Sequence, residues 1–151
     1  MLDDTDRRLL RYLQDDPELG ASALADRARV PTATVARRLE RMREGGVLRG
    51  VRGVIDWKAL GYAVEVSLRI TLDKTQPRAF DEFIAASRAV PEVVEVQTFL
   101  GRVDVRLSIL ARDMAHYQSL YRDQILTLPH IAEIEALMQV SAVHAAQGVP
   151  L

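Results

Sequence analysis

Residues 27–53 hold eight arginines and two glutamates, a net of +6, in a chain whose 20 basic and 21 acidic residues otherwise nearly cancel. Arginine's planar fork grips phosphate or guanine with two parallel hydrogen bonds, so a cationic cluster of this kind suits a polyanion. Within the cluster Val35, Leu39 and Met42 recur at i, i+4 and i+7. That spacing predicts a helix from Thr32 or Ala33 to about Glu44, with Gly45-Gly46 as its stop. At 100° per residue Thr34, Arg37 and Arg41 fall within about 60° of one another, opposite the apolar stripe, with Arg38 between the two faces. Such a face fits the major groove of a duplex. It equally fits a solvated, arginine-rich surface on an ordinary helical hairpin.

The elements before this helix decide what it is part of. Asp3 to Gln14 sets Leu9, Leu10 and Leu13 on one stripe behind an acidic start, as an amphipathic helix requires, and Pro17 and Gly20 end it. Ser22 is placed to cap a short second helix to about Ala28, burying Leu24, Ala25 and Ala28. Only Arg29-Val30-Pro31 separates that helix from the arginine-bearing one. Two helices joined by so tight a turn make a helix-turn-helix, whose second helix enters the major groove. Beyond Gly46, residues 47–55 form two short β-branched runs around glycines and read as a small hairpin or wing. Arg49 and Arg52 on it are natural phosphate contacts, which set affinity and leave target choice to others.

Residues 61–143 alternate between strand and helix patterns. Strands are predicted at Tyr62–Leu72, Val93–Leu100, Asp104–Leu110 and Ile131–Val143, and helices at Pro77–Ala89 and Met114–Leu126. A shift of 38 residues aligns Phe83 with Tyr121, Val90-Pro91 with Leu128-Pro129, and Glu95-Val96 with Glu133-Ile134, so two copies of one unit are the simplest account. A β-α-β-β-α-β chain of this sort folds as a ferredoxin-like sandwich, an antiparallel four-stranded sheet with both helices on one face. Apolar residues on both faces of the first and last strands lead to the expectation that the open face is covered by sheet-to-sheet dimerisation. A homodimer also presents two reading helices to half-sites about 10 bp apart or a multiple of that. The fold class is therefore α+β, with a helix-turn-helix domain at 1–53, a linker at 54–60 and a ferredoxin-like domain at 61–151.

Other chemistries lack parts. The sequence shows no nucleophile elbow, P-loop, dinucleotide fingerprint or Cys/His pair, so no catalytic residue is nominated and the chain is not read as an enzyme. His116, His130 and His144 share no helix or strand period and no cysteine joins them, so no metal site is expected. The N-terminus is acidic without an apolar core, unlike a secretory signal, and the lack of cysteine fits a reducing cytoplasm. The longest uncharged run, Ala136 to Leu151, has 16 residues. That is short of the roughly 20 needed to span a bilayer, so no membrane association is expected.

The order of these parts resembles the Lrp/AsnC (feast/famine) transcriptional regulators over nearly the whole chain. The matching stretches are LDDTDRRLLRYLQDD, Ala23-Leu24-Ala25, TVARRLERMREGGVLRG, LGY, VPEVVEV, GRVD and LTLPHIAEI. The resemblance implies a sequence-specific binder of double-stranded DNA. It would be a dimer that often assembles into octamers, with no cofactor and an amino acid or related metabolite as effector at subunit interfaces. By position it assigns base reading to Thr32, Thr34, Arg37 and Arg38, and phosphate contact to Arg41, Arg49 and Arg52. Arg29 and Pro31 stand where the family has glycine and serine, which implies a left-handed Arg29 and leaves the cap to Thr32. The effector turn is Gly101-Arg102-Val103-Asp104, where Gly101 admits backbone N–H groups to a carboxylate and Asp104 pairs with an ammonium. Leu100, Ile134 and Ala136 replace threonines common in the family, favouring an apolar or larger ligand or none, while Arg102 offers to hold an anionic group. Two other readings stay open: an effector-independent architectural DNA binder, and a small enzyme or stand-alone small-molecule-binding module.

Overall fold

The computed structural model describes residues 1–140 and 148–151, and the polypeptide divides into two compact units. The first comprises Met1–Val54 together with the last described residues, and the second begins at Ile55.

Three helices build the first unit: α1 (Asp4–Asp15), α2 (Ala21–Ala28) and α3 (Thr32–Glu44). Asp3 caps α1 through a reciprocal pair, its side chain accepting from the Asp6 N–H at 2.9 Å while Asp6 accepts from the Asp3 N–H at 3.1 Å. This capping box satisfies two N–H groups that the helix start leaves open. The expected apolar positions form the core, with Leu9, Leu24, Val35 and Met42 wholly or almost wholly buried and Leu13 partly so. Arg29 ends α2 in the left-handed region at φ 54°, as the resemblance implied. Gly45 and Gly46 close α3, Gly46 at φ 69°.

Several local expectations are corrected here. Gly20, not Ser22, holds the cap position of α2, and no side chain caps it. Pro31, not Thr32, precedes α3, again without a side-chain cap. Thr32 is already helical, because the fixed φ of proline suits it to a helix entrance. Residues 47–55 form no strand ladder, so the expected wing is missing. Each β-branched run there is too short to pair beside Gly50 and Gly53, and Val51, Val54 and Ile55 remain exposed. Residues 148–151, expected in the second domain, belong to the first unit. Gln14 Oε1 accepts from the Val149 N–H at 2.5 Å, Arg11 Nη2 donates to the Leu151 carbonyl oxygen at 2.6 Å, and Leu151 packs on the helical core.

The second unit runs β1 (Val64–Leu72), α4 (Ala79–Arg88), β2 (Val93–Thr98), β3 (Val105–Ala111), α5 (Met114–Leu120), a π-helical turn at Tyr121–Ile125, and β4 (Ile131–Met138). Its antiparallel sheet has the order β2-β3-β1-β4, the ferredoxin-like arrangement. Alternate residues Val66, Leu68 and Ile70 of β1, with Val105, Leu107 and Ile109 of β3, meet Phe83 of α4 and Leu120 and Ile125 of the second helical segment in one core. The final strand was expected to reach Val143; its described part ends at Met138, and 141–143 lie outside the described residues.

Register divides the apolar residues of β1 and β4 between the two faces of the sheet. Ile134 and Ala136 pair with Ile70 and Leu68 and so share the core side, leaving Glu133, Glu135 and Leu137 outward. Arg69 and Thr71 of β1, Arg106 of β3 and Glu95 of β2 join them, and Arg106 Nη2 lies 3.3 Å from Glu95 Oε2. The face is largely charged.

Candidate functional site

Two regions gather the nominated residues. The first is the outer side of α3. Burial of Val35, Leu39 and Met42 fixes which side of the helix faces the core. Thr32 and Arg37 are thereby exposed and Thr34 half-buried. Arg37, Arg38 and Arg41 line one hollow of about 270 Å³.

These three arginines differ in their partners. Arg38 Nη1 donates to Asp3 Oδ2 at 2.6 Å and to Asp6 Oδ1 at 2.9 Å, and its side chain is 21% exposed. Arg41 Nη2 donates to Asp6 Oδ2 at 2.5 Å but stays half in solvent. Arg37 forms no ion pair among the described residues and is exposed. Hydrogen bonding from Arg38, with the Asp6 N–H second, holds the Asp3 carboxyl down to about 2. Asp3 and then Asp6 push the Arg38 guanidinium above its ordinary value. Arg49 and Arg52 are exposed and line a separate hollow on the loop after α3.

The second region is a cavity of about 560 Å³ on the second unit, lined by Arg69, Thr71, Arg102, Val103, Glu133, Ile134 and Glu135. Two arginines and two glutamates line one space, with Arg69 Nη1 3.8 Å from Glu135 Oε2. Thr71 Oγ1 donates to the Arg102 carbonyl oxygen at 3.0 Å, which ties the turn after β2 to β1. Of the nominated effector residues, Arg102 and Ile134 line this cavity. Leu100 projects fully into solvent, Gly101 is exposed at φ 154°, and Ala136 is not in the lining.

Asp104 is turned away from the role expected of it. It is 3% exposed, its Oδ2 accepts from the Leu72 N–H at 2.9 Å, and its Oδ1 lies 2.9 Å from Lys74 Nζ. Burial pushes its carboxyl up, but the Leu72 N–H and Lys74 outweigh that and the net shift is downward. An ammonium group from its own chain already occupies it.

Sequence reasoning missed Asp3 and Asp6 as partners of α3, taking them only as the acidic start of α1. It also missed Arg69, Thr71, Glu133 and Glu135 as cavity residues. Their outward alternation was visible in each strand, whereas the pairing of β1 with β4 that brings them together was not. Among the described residues no group of three or more His, Asp or Glu side chains is arranged to hold a metal ion, and His144 lies outside them.

Comparison with known proteins bears on both regions. The family described as Lrp/AsnC ligand binding domain matches residues 65–148, and a winged helix-turn-helix DNA-binding family matches residues 2–49. The chain is 29% identical over 143 residues to the proline dehydrogenase transcriptional activator of Rhodobacter capsulatus, covering 95% of this chain and 93% of that protein. The crystal structure of an AsnC family transcriptional regulator from Agrobacterium tumefaciens superposes with a TM-score of 0.88 at 27% identity, covering 99% and 97% of the two chains. That of a Neisseria meningitidis transcriptional regulator in complex with L-Met gives 0.91 at 21% identity with the same coverage, a likeness of fold.

Proposed function

The chain belongs to the Lrp/AsnC family of transcriptional regulators, and from that premise we propose that it binds operator DNA through the Thr32, Thr34 and Arg37 side of α3. The family is one of regulators and not of enzymes, and catalysis has no part in this reading. The observation that carries it is the exposed Arg37, set on the side of α3 opposite the buried Val35, Leu39 and Met42. An arginine on that side of a recognition helix reaches guanine O6 and N7 in the major groove. Arg49 and Arg52 contact phosphate. A mobility-shift assay with a duplex from upstream of its own gene tests this. Arg37→Ala weakens binding by about 1–3 kcal/mol, roughly five- to 150-fold, and unchanged binding overturns the assignment.

Two copies of α3 are needed to read two half-sites, so the working form is a homodimer, in which the charged sheet face or the exposed apolar linker supplies the contact. Sedimentation equilibrium measures it. A regulator of this kind works in the cytoplasm, beside its operator DNA. No helix among the described residues is long and apolar enough to cross a membrane.

The effector is an amino acid or a related small zwitterion held in the cavity between β1, β4 and the turn before β3. Arg69 and Arg102 offer hydrogen bonds to a carboxylate, while Glu133 and Glu135 attract an ammonium. Such a ligand shifts DNA binding only by as much as its affinity differs between the free and operator-bound forms. Titration calorimetry with the amino acids, repeated on Arg102→Ala, tests it. Heat from none of them favours an effector-independent architectural binder, for which the occupied Asp104 speaks.

A further inference from the structure

We propose that Asp6, seconded by Asp3, is a specificity-determining residue: it draws Arg38 and Arg41 of the recognition helix back against α1 and withholds their charge from DNA. The inference rests on the DNA-binding reading above and narrows which arginines of α3 do the reading.

Helix α3 carries four arginines, at positions 37, 38, 41 and 43. Arg43 lies 3.3 Å from Glu40, an exposed pair one turn apart. Arg38 is shared by Asp3 and Asp6, and Arg41 is bound by Asp6. Arg37 is therefore the one arginine of α3 without a carboxylate partner among the described residues. A helix whose sequence advertises four cations presents one in full.

Asp6 is suited to this because it is rigid and dry. It is 0% exposed, and both of its oxygens are committed, Oδ1 to Arg38 and Oδ2 to Arg41 and the Asp3 N–H. Buried ion pairs of this kind hold geometry more than they add stability, since desolvation offsets most of the attraction. The two bonds enter α3 at positions three apart, on one side of the helix, so together they resist rotation about its axis. Arg37 lies about 100° around the helix from Arg38 and about 40° from Arg41, and Thr34 falls between Arg38 and Arg41, so the two bonds set the rotation of the same face that carries positions 34 and 37. Arg38 is in this account a positioning residue.

Charge has a second consequence. Non-specific affinity grows with the number of phosphates neutralised, whereas base contacts favour only the right sequence. A regulator that exposed all four arginines would hold any duplex tightly and lose discrimination. Neutralising two of them with internal carboxylates lowers the background while leaving Arg37 to read.

The test uses the full chain, a duplex selected from a randomised pool, and a scrambled duplex of equal length, each titrated from 50 to 300 mM salt. For Asp6→Asn the expected result is several-fold tighter binding to the scrambled duplex, a slope of log affinity against log salt steeper by about one to two, and a selected-to-scrambled ratio at least tenfold lower. Asp3→Asn keeps its capping oxygen and is half exposed, so it folds where Asp6→Asn fails to, and it shows the same changes at smaller size. Arg37→Ala makes the slope shallower by about one, and Arg38→Ala leaves it unchanged. A residue that served only the fold would weaken binding to both duplexes at unchanged slope, and that outcome overturns the proposal. So does a folded Asp6→Asn or Asp3→Asn indistinguishable from the unaltered chain. If the unaltered chain binds neither duplex, the DNA-binding reading itself has failed.

Discussion

Asp104 Oδ2 accepts the Leu72 N–H at 2.9 Å, so one buried carboxylate joins the residue before β3 to the last residue of β1. The Asp104 N–H in turn donates to the Ile70 carbonyl at 2.9 Å, closing the join from both sides.

Truncating that carboxylate leaves the buried Leu72 N–H without an acceptor. Asp104→Ala lowers stability by about 2–3 kcal/mol, a loss on the scale of an unsatisfied buried group. Lys74, mostly in solvent, contributes little of it. Urea unfolding measures the change. A loss below about 0.5 kcal/mol would mean that the strand end is held by its ladder alone.

Acid stability follows from the direction of the carboxylate shifts. Asp3 titrates at about 2 in the folded chain and Asp104 is also lowered, against roughly 3.9 for a free aspartate. A folded value below the unfolded one means stability that is fully present above about pH 4 and is lost as pH falls, for Asp3 toward pH 2. Thermal melts from pH 5 to pH 2 should fall continuously, and Asp3→Asn should flatten the fall of the first unit. An identical pH profile in the variant contradicts the Arg38 contact as its source.

Arg29 holds a left-handed backbone at φ 54° without the freedom of glycine. Arg29→Gly relieves that strain and raises the stability of the first unit by about 1 kcal/mol, the penalty a side chain meets in this conformation. A destabilised variant would show instead that the exposed guanidinium contributes more than the backbone costs.

Leu24 and Phe83 are both fully buried, in different cores. Each change to alanine costs about 2–5 kcal/mol. Hydrogen exchange resolves where: Leu24→Ala loses protection in α1 to α3, and Phe83→Ala in the sheet and α4. Protection lost uniformly in either variant would mean that the two units unfold as one.

How far the sequence carried this picture depended on the range of the interaction concerned. Helix α3 was legible because Val35, Leu39 and Met42 state its period within ten residues, and the sandwich was legible because its halves repeat. The wing failed because Gly50 and Gly53 interrupt runs that local β-propensity alone favoured. The union of Asp6 with Arg38 and Arg41 spans more than thirty residues, and an aspartate at a helix start already has a sufficient local explanation. The cavity was hidden for a related reason. Arg69 and Glu135 become neighbours only once β1 and β4 pair, at 3.8 Å across the ladder, and no spacing within either strand announces it.

The clasp of Gln14 on Val149 has a bearing on biosynthesis. Gln14 and Val149 are 135 residues apart with every strand of the second unit's sheet between them, so in synthesis the clasp closes on the helical bundle only after that sheet has been made. Closing so long a loop carries a modest entropic penalty, since that penalty grows only with the logarithm of length. A nascent regulator would thus acquire its finished grip on the genome only after its sensing half had been made.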